Sequence, residues 1–134
     1  MTESIVDTDI LSFYFKGDVH VAAKFADYLK EFDQINIPII TYYEIIAGLK
    51  FKKAVKQLND FQDFVLNNNI INISEESAKI SGDIYAQLRQ KGITIGTSDL
   101  LIAGIAVENG LTLITNNEKH YDSISGLQVE NWKK

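Results

Sequence analysis

Two spacings of apolar residues alternate along the chain. Short β-branched runs occur at Ser4–Val6, Ile35–Ile40, Ile70–Ile73 and Leu111–Thr115, with a weaker one at Leu127–Glu130. Runs of this length bounded by polar residues predict strands. The stretches between them repeat at helical spacing. Val21, Phe25, Tyr28, Leu29 and Phe32 form one stripe, and Val55, Leu58, Phe61 and Val65 a second. Ile80, Ile84 and Leu88 form a third. Ser74 suits an N-cap, with Glu75 and Glu76 in the first turn, and Lys91-Gly92 suits the C-terminus. The longest apolar run, Leu100–Val107, exceeds ordinary strand length. Thr97 or Ser98 can cap a helix there and Asn109-Gly110 can end it, so a helix buried on most faces is predicted.

Strands of nearly continuous apolar character, alternating with helices, predict an α/β fold with a mainly parallel central sheet flanked by helices. No linker, repeat or low-complexity tract divides the chain, so residues 1–134 read as one domain.

Composition narrows the setting. Hydrophobic residues make up 46% and charged ones 23%, which is globular rather than disordered. There is no cysteine, which excludes a disulfide scaffold and any Cys-ligated zinc or iron–sulfur site. The acidic start, Met-Thr-Glu-Ser, lacks the basic and apolar segments of a signal peptide, and no apolar run approaches the roughly 20 residues of a membrane span. A cytoplasmic protein with no membrane contact is expected. Taken alone, the net charge of −5 argues against nucleic acid. Net charge does not say where the acids sit, however, and carboxylates grouped in one pocket bind cations that then set the local field.

Sites in parallel sheets form outside the carboxyl ends of strands. Asp7 and Asp9 follow the first strand, Glu44 follows the second in the first turn of a helix, and Asp99 opens the Leu100 helix. Asn116 and Asn117 follow Leu113-Ile114-Thr115. Each has a structural reading: strand-end turns for Asp7, Asp9 and the asparagines, a Thr41–Glu44 capping box, and a dipole-complementing Asp99. Together, three carboxylates at separate strand–helix junctions converge on one rim. Like charges held together repel unless a cation joins them, and hard oxygen ligands favour magnesium or manganese. That combination suits metal-assisted phosphoryl chemistry.

The order of these segments resembles the PIN-domain ribonucleases, in particular the VapC-type toxins of toxin–antitoxin pairs. The segments are Ile5-Val6-Asp7-Thr8-Asp9-Ile10-Leu11, Ile40-Thr41-Tyr42-Tyr43-Glu44-Ile45-Ile46-Ala47-Gly48-Leu49, Ile95-Gly96-Thr97-Ser98-Asp99-Leu100-Leu101-Ile102-Ala103 and Leu113-Ile114-Thr115-Asn116-Asn117. Tyr121 and the closing Gly126-Leu127-Gln128-Val129-Glu130-Asn131-Trp132 complete the match. The resemblance implies a PIN-like nuclease domain over residues 1–134 and a magnesium-dependent endoribonuclease, with manganese as a possible substitute. It places Asp7, Glu44 and Asp99 on the family's acidic positions, with Asp7 and Asp99 as its best-defined metal ligands and Glu44 as ligand or water-orienting base. Asn117 stands where many relatives have a fourth acid, and Asp9, Thr115 and Asn116 take auxiliary places. The products implied are a 5′-phosphate and a 3′-hydroxyl. An RNA substrate, a cognate antitoxin and a homodimer are the implied partners.

Other readings stand beside it. Lys50, Lys52, Lys53 and Lys56 are either a solvated helix face or a phosphate-steering patch, and Tyr42, Tyr43 and Phe51 either pack or stack on bases. His20, at a helix start, and His120, in a loop, read as surface residues without a positioned partner. Asp7-Thr8-Asp9 also fits a haloacid-dehalogenase-like phosphatase with Asp7 as nucleophile, although that class needs a late acidic pair where this chain has Asn116-Asn117. A non-catalytic RNA- or protein-binding module with a degenerate acidic pocket is the remaining alternative.

Overall fold

The β-branched runs pair as one sheet in a computed structural model that describes residues 1–134. The elements in chain order are β1 (Ser4–Val6), α1 (Thr8–Phe15), α2 (Val19–Glu31), β2 (Asn36–Pro38), α3 (Ile39–Phe51) and α4 (Val55–Leu66). They continue with β3 (Asn69–Ile71), α5 (Glu75–Gln90), α6 (Thr97–Glu108), β4 (Thr112–Ile114), α7 (Glu118–Tyr121) and β5 (Val129–Glu130). The strand order is β3-β2-β1-β4-β5, and every neighbouring pair is parallel. The expected α/β architecture is present, with a sheet that is wholly rather than mainly parallel. No helix is long and apolar enough to cross a membrane.

Alternation along the strands sends side chains to two cores. Ile5 and Leu113 join Ile84, Leu88, Ile102 and Ile105 on the face covered by α5 and α6. Val6, Ile37 and Ile114 join Ile10, Val21, Phe25 and Phe61 on the opposite face. Trp132 closes this second core, its ring edge-on to Phe25 at 5.3 Å and 5.6 Å from Tyr28.

Three local expectations are corrected. The second strand stops at Pro38 rather than Ile40, because Pro38 has no N–H to continue a ladder and its φ of −64° leads into a helix. Ile39 and Ile40 therefore open α3, and Glu44 lies in its second turn rather than its first. The Thr41–Glu44 capping box does not form: Pro38 is the N-cap, and Thr41 is fully buried inside the helix. Gly96, not Thr97 or Ser98, precedes α6 as its N-cap, and no side chain caps it. The Ser74 cap does form, with Ser77 completing a reciprocal capping box.

Candidate active site

Register alone brings the first two site residues together. Val6 pairs with Ile114 across β1 and β4, so the next residue on each strand, Asp7 and Thr115, leaves the sheet at the same point on its carboxyl rim. The order reverses there, since β2 lies on one side of β1 and β4 on the other. That is where sites form in parallel sheets. The Asp7 amide still donates to Ile114 O at 2.9 Å, which anchors the backbone. The fully buried Thr115 hydroxyl then donates to Asp7 Oδ2 at 2.8 Å.

Asp7 is also the N-cap of α1, and its Oδ1 accepts from the Thr8 amide at 2.7 Å. The Thr8 hydroxyl donates to Glu44 Oε1 at 2.6 Å and lies 3.0 Å from Thr41 Oγ1. Glu44 thus reaches the rim through Thr8. Asp9 sits in the first turn of α1, where its Oδ2 accepts from the Asn116 amide at 3.1 Å. Asp99, in the first turn of α6, lies 3.1 Å from His120 Nδ1, and the same nitrogen is 3.0 Å from Asn117 Nδ2.

The carboxylates feel one another. Burial above all, then the charge of Asp9 and more weakly of Asp99, raises the Asp7 pKa from 3.8 to about 7. The bonds from Thr115 and Thr8 oppose that rise. Burial also raises Asp9, with Asp99 adding to it against bonds from the Asn116 and Ile10 amides. Asp9 Oδ1 is buried with no hydrogen-bond donor. A carboxylate cluster around a buried aspartate, with one buried oxygen unsatisfied, is short of positive charge.

No group of three His, Asp or Glu side chains is arranged to hold one ion, and Glu44 is engaged by Thr8 instead. An ion of the magnesium type, which takes one or two protein carboxylates and keeps several waters, fits this all-oxygen donor set. Asp7 and Asp99 are the residues that would hold it.

Two concavities flank the acids. On the Glu44 side a groove of about 430 Å³ is lined by Thr8, Ser12, Lys16, Glu44, Lys52 and Phe61 among others. Lys50 and Lys53 are exposed and stand outside that lining. On the other side a wholly polar hollow is bordered by Asn116, Asn117, Lys119, Asn131 and Lys134. Tyr43 and Phe51 are exposed, while Tyr42 is half-buried against the second core.

His20 is exposed. The reading of His120 as an unpartnered loop residue is overturned: it lies in α7, against Asp99 and Asn117. Thr8, His120 and Lys16 are site residues that sequence reasoning passed over. Thr8 had a signal, since it follows the strand-end acid directly. A helix of four residues such as α7 is too short to show a period.

The PIN domain family matches residues 4–125. Ribonuclease VapC2 of Rickettsia felis is 37% identical over 101 residues, covering 75% of each chain. The tRNA(fMet)-specific endonuclease VapC of Salmonella typhimurium is 32% identical over 97 residues, covering 72% of this chain and 74% of the relative. Among solved structures, VapBC2 from Rickettsia felis bound to a promoter DNA fragment superposes with a TM-score of 0.87 at 30% identity. That match covers 96% of this chain and 98% of the other. These similarities decide against the phosphatase and the non-catalytic module. The chain belongs to the PIN-domain family, as one of the VapC-type endoribonuclease toxins of type II toxin–antitoxin systems.

Proposed function

We propose that the rim carries magnesium-dependent hydrolysis of RNA, with Asp7 and Asp99 as the ion-binding carboxylates and Glu44 as the acceptor of the attacking water's proton. The observation that carries this is the acidic cluster around the buried Asp7, which is driven to a pKa of about 7 by burial and its acidic neighbours. Magnesium or manganese, when bound, supplies the charge that activates water near neutral pH and stabilises the leaving oxygen. The water oxygen adds to phosphorus, the P–O3′ bond breaks, and a proton ends on the 3′ oxygen. The products are a 5′-phosphate and a 3′-hydroxyl.

The protein's own groups prepare this step. Thr115 and the Thr8 amide hold both oxygens of Asp7, so the carboxylate does not rotate. The Thr8 hydroxyl orients Glu44. Asn117 takes the place of a fourth acid, which leaves the centre one negative charge poorer and favours a single tightly held ion. Asp9, Thr115 and Asn116 support the rim, Asp9 by accepting from the Asn116 amide. The RNA strand crosses from the polar hollow to the Lys52 groove, with Lys52 and Lys16 on the phosphates and Lys50 and Lys53 farther out.

Its partner is an antitoxin protein, as in the toxin–antitoxin complexes it resembles, and the active form is a homodimer. Initiator tRNA is the first substrate to try, since one relative is named for cleaving it. Incubation of purified protein with tRNA in magnesium, manganese or EDTA tests the reading. Cleavage to 5′-phosphate ends in either metal and none in EDTA supports it. Equal cleavage in EDTA contradicts it.

A further inference from the structure

One buried polar group at the rim has no role in the reaction just described. Tyr121 ends α7 and is 1% exposed. Its ring is locked into the core that contains Ile5 and Leu113, and its hydroxyl has no hydrogen-bond partner. A buried tyrosine ordinarily finds a partner for that hydroxyl, because leaving it unsatisfied is unfavourable. Here acceptors stand close by. Burial above all, then the charges of Asp7 and Asp99, a direct interaction of the phenol with the Asp99 carboxylate and the charge of Asp9, push its ionisation upward. A phenol among carboxylates is a donor.

His120, the preceding residue, touches Asp99 from the exposed side of α7. Its side chain is half exposed. Tyr121 faces the same acids from the packed side, where its ring is held in the core. Donors that fix a liganding side chain commonly account for about a 10- to 100-fold difference in ion affinity.

We propose that Tyr121 is a positioning residue of the acidic centre, its hydroxyl being the donor that holds the Asp99 carboxylate in its ion-binding orientation. This rests on the reading of Asp7 and Asp99 as the ion-binding pair. It assigns that bond to the loaded state: in the free protein the phenol already faces Asp99 without a well-formed hydrogen bond, and the contact closes when the carboxylates gather around a cation.

Calorimetric titration of manganese into the metal-free full-length protein tests the assignment, with thermal unfolding in EDTA measured alongside. Tyr121→Phe keeps the ring and removes only the orphaned hydroxyl. It is expected to weaken manganese binding about tenfold while leaving the metal-free melting temperature unchanged or higher. Wild-type affinity in Tyr121→Phe, with or without a lower melting temperature, overturns the proposal. Site-specific 3-fluorotyrosine at position 121 keeps the O–H and covers the case in which the Phe variant does not fold. It is expected to bind manganese at least as tightly as wild type, and a weaker affinity overturns the proposal. If wild type itself shows no manganese binding that Asp7→Asn abolishes, the reading of the acidic centre falls and takes this proposal with it. If wild type binds and the Phe variant binds equally, only the proposal falls.

Discussion

The Thr8 hydroxyl donates to Glu44 Oε1 at 2.6 Å across 36 positions of sequence, while the Thr8 amide donates to Asp7 Oδ1 at 2.7 Å. One residue thus ties two acids that do not touch each other. Its backbone serves Asp7 and its side chain serves Glu44. Thr8→Val keeps the first link and cuts the second. Cleavage is expected to fall by about 10- to 100-fold, the range for losing a partner that orients a functional side chain while the side chain itself stays. The stability change is expected to stay near 1 kcal/mol, as for a single hydrogen bond. Thr8→Ser is expected to restore most of the activity, and parallel kinetics and melting curves separate the two effects.

The raised pKa of Asp7 sets a pH dependence with a definite sign. In the metal-free protein the folded state holds the Asp7 proton up to about pH 7, whereas the unfolded chain releases it near 3.8. The folded state therefore binds more protons between those values, and stability falls as pH rises through that window. The shift of about 3 units corresponds to a ceiling of about 4 kcal/mol. Asp9 shifts in the same direction. Asp18 and Glu118 are shifted the other way by Lys133 and Lys134, so their contributions are lost only at more acidic pH. In EDTA the melting temperature is expected to drop by several degrees between about pH 5 and pH 8. Asp7→Asn is expected to flatten that slope. Added magnesium is expected to raise stability most at the alkaline end, where the carboxylates are ionised.

Asp99 depends on the close crossing of α5 and α6. A Cβ on Gly104 would collide with the Ser81 side chain and stand 2.5 Å from the Ser77 carbonyl oxygen. Ser81 in turn donates to Leu100 O at 2.7 Å, one residue from Asp99. Gly104→Ala is expected to destabilise the protein by about 1–3 kcal/mol, the usual range for overpacking. Ser81→Ala is not expected to rescue it, because the Ser77 carbonyl belongs to the backbone and remains in place. Denaturant unfolding of the two variants and their combination checks this.

The lysine patch divides. Lys52 lines the groove beside Glu44, whereas Lys50 and Lys53 do not. Lys52→Ala is expected to raise KM several-fold and reduce the slope of log affinity against log salt by about one. Lys50→Ala is expected to stay within about twofold of wild type, since an exposed lysine outside the groove screens rather than contacts. Cleavage assays across a salt series distinguish them.

The sheet and the three acids were legible because they rest on local signals. Ser4–Val6 is apolar and β-branched, Asp7 follows at once, and the helical stripes around Phe25, Phe61 and Ile84 are long enough to show their period. Pro38 was the misread element. The isoleucines on both sides of it look like strand, and only its missing N–H and fixed φ turn the chain into α3. That displaced Glu44 by a turn without removing it from the rim, because α3 still starts at the carboxyl end of β2. The pairing of Thr115 with Asp7 could not be read from sequence, since it follows from the β1–β4 register across 108 positions. The closeness of His120 and Tyr121 to the acids was hidden for a different reason. They enter the site through a four-residue helix placed by the docking of the C-terminal segment, not by any periodicity of its own.

The central claim is that the buried Asp7 and the half-buried Asp99 make this chain an ion-dependent ribonuclease. Its most direct test is cleavage of initiator tRNA by wild type and Asp7→Asn in magnesium. Asn keeps the shape of Asp7 and a hydrogen-bonding oxygen but removes its charge. The account predicts magnesium-dependent cleavage by wild type and a loss of at least about 10²-fold in Asp7→Asn, with both proteins folded by circular dichroism. Wild-type rates in a folded Asp7→Asn variant would contradict it.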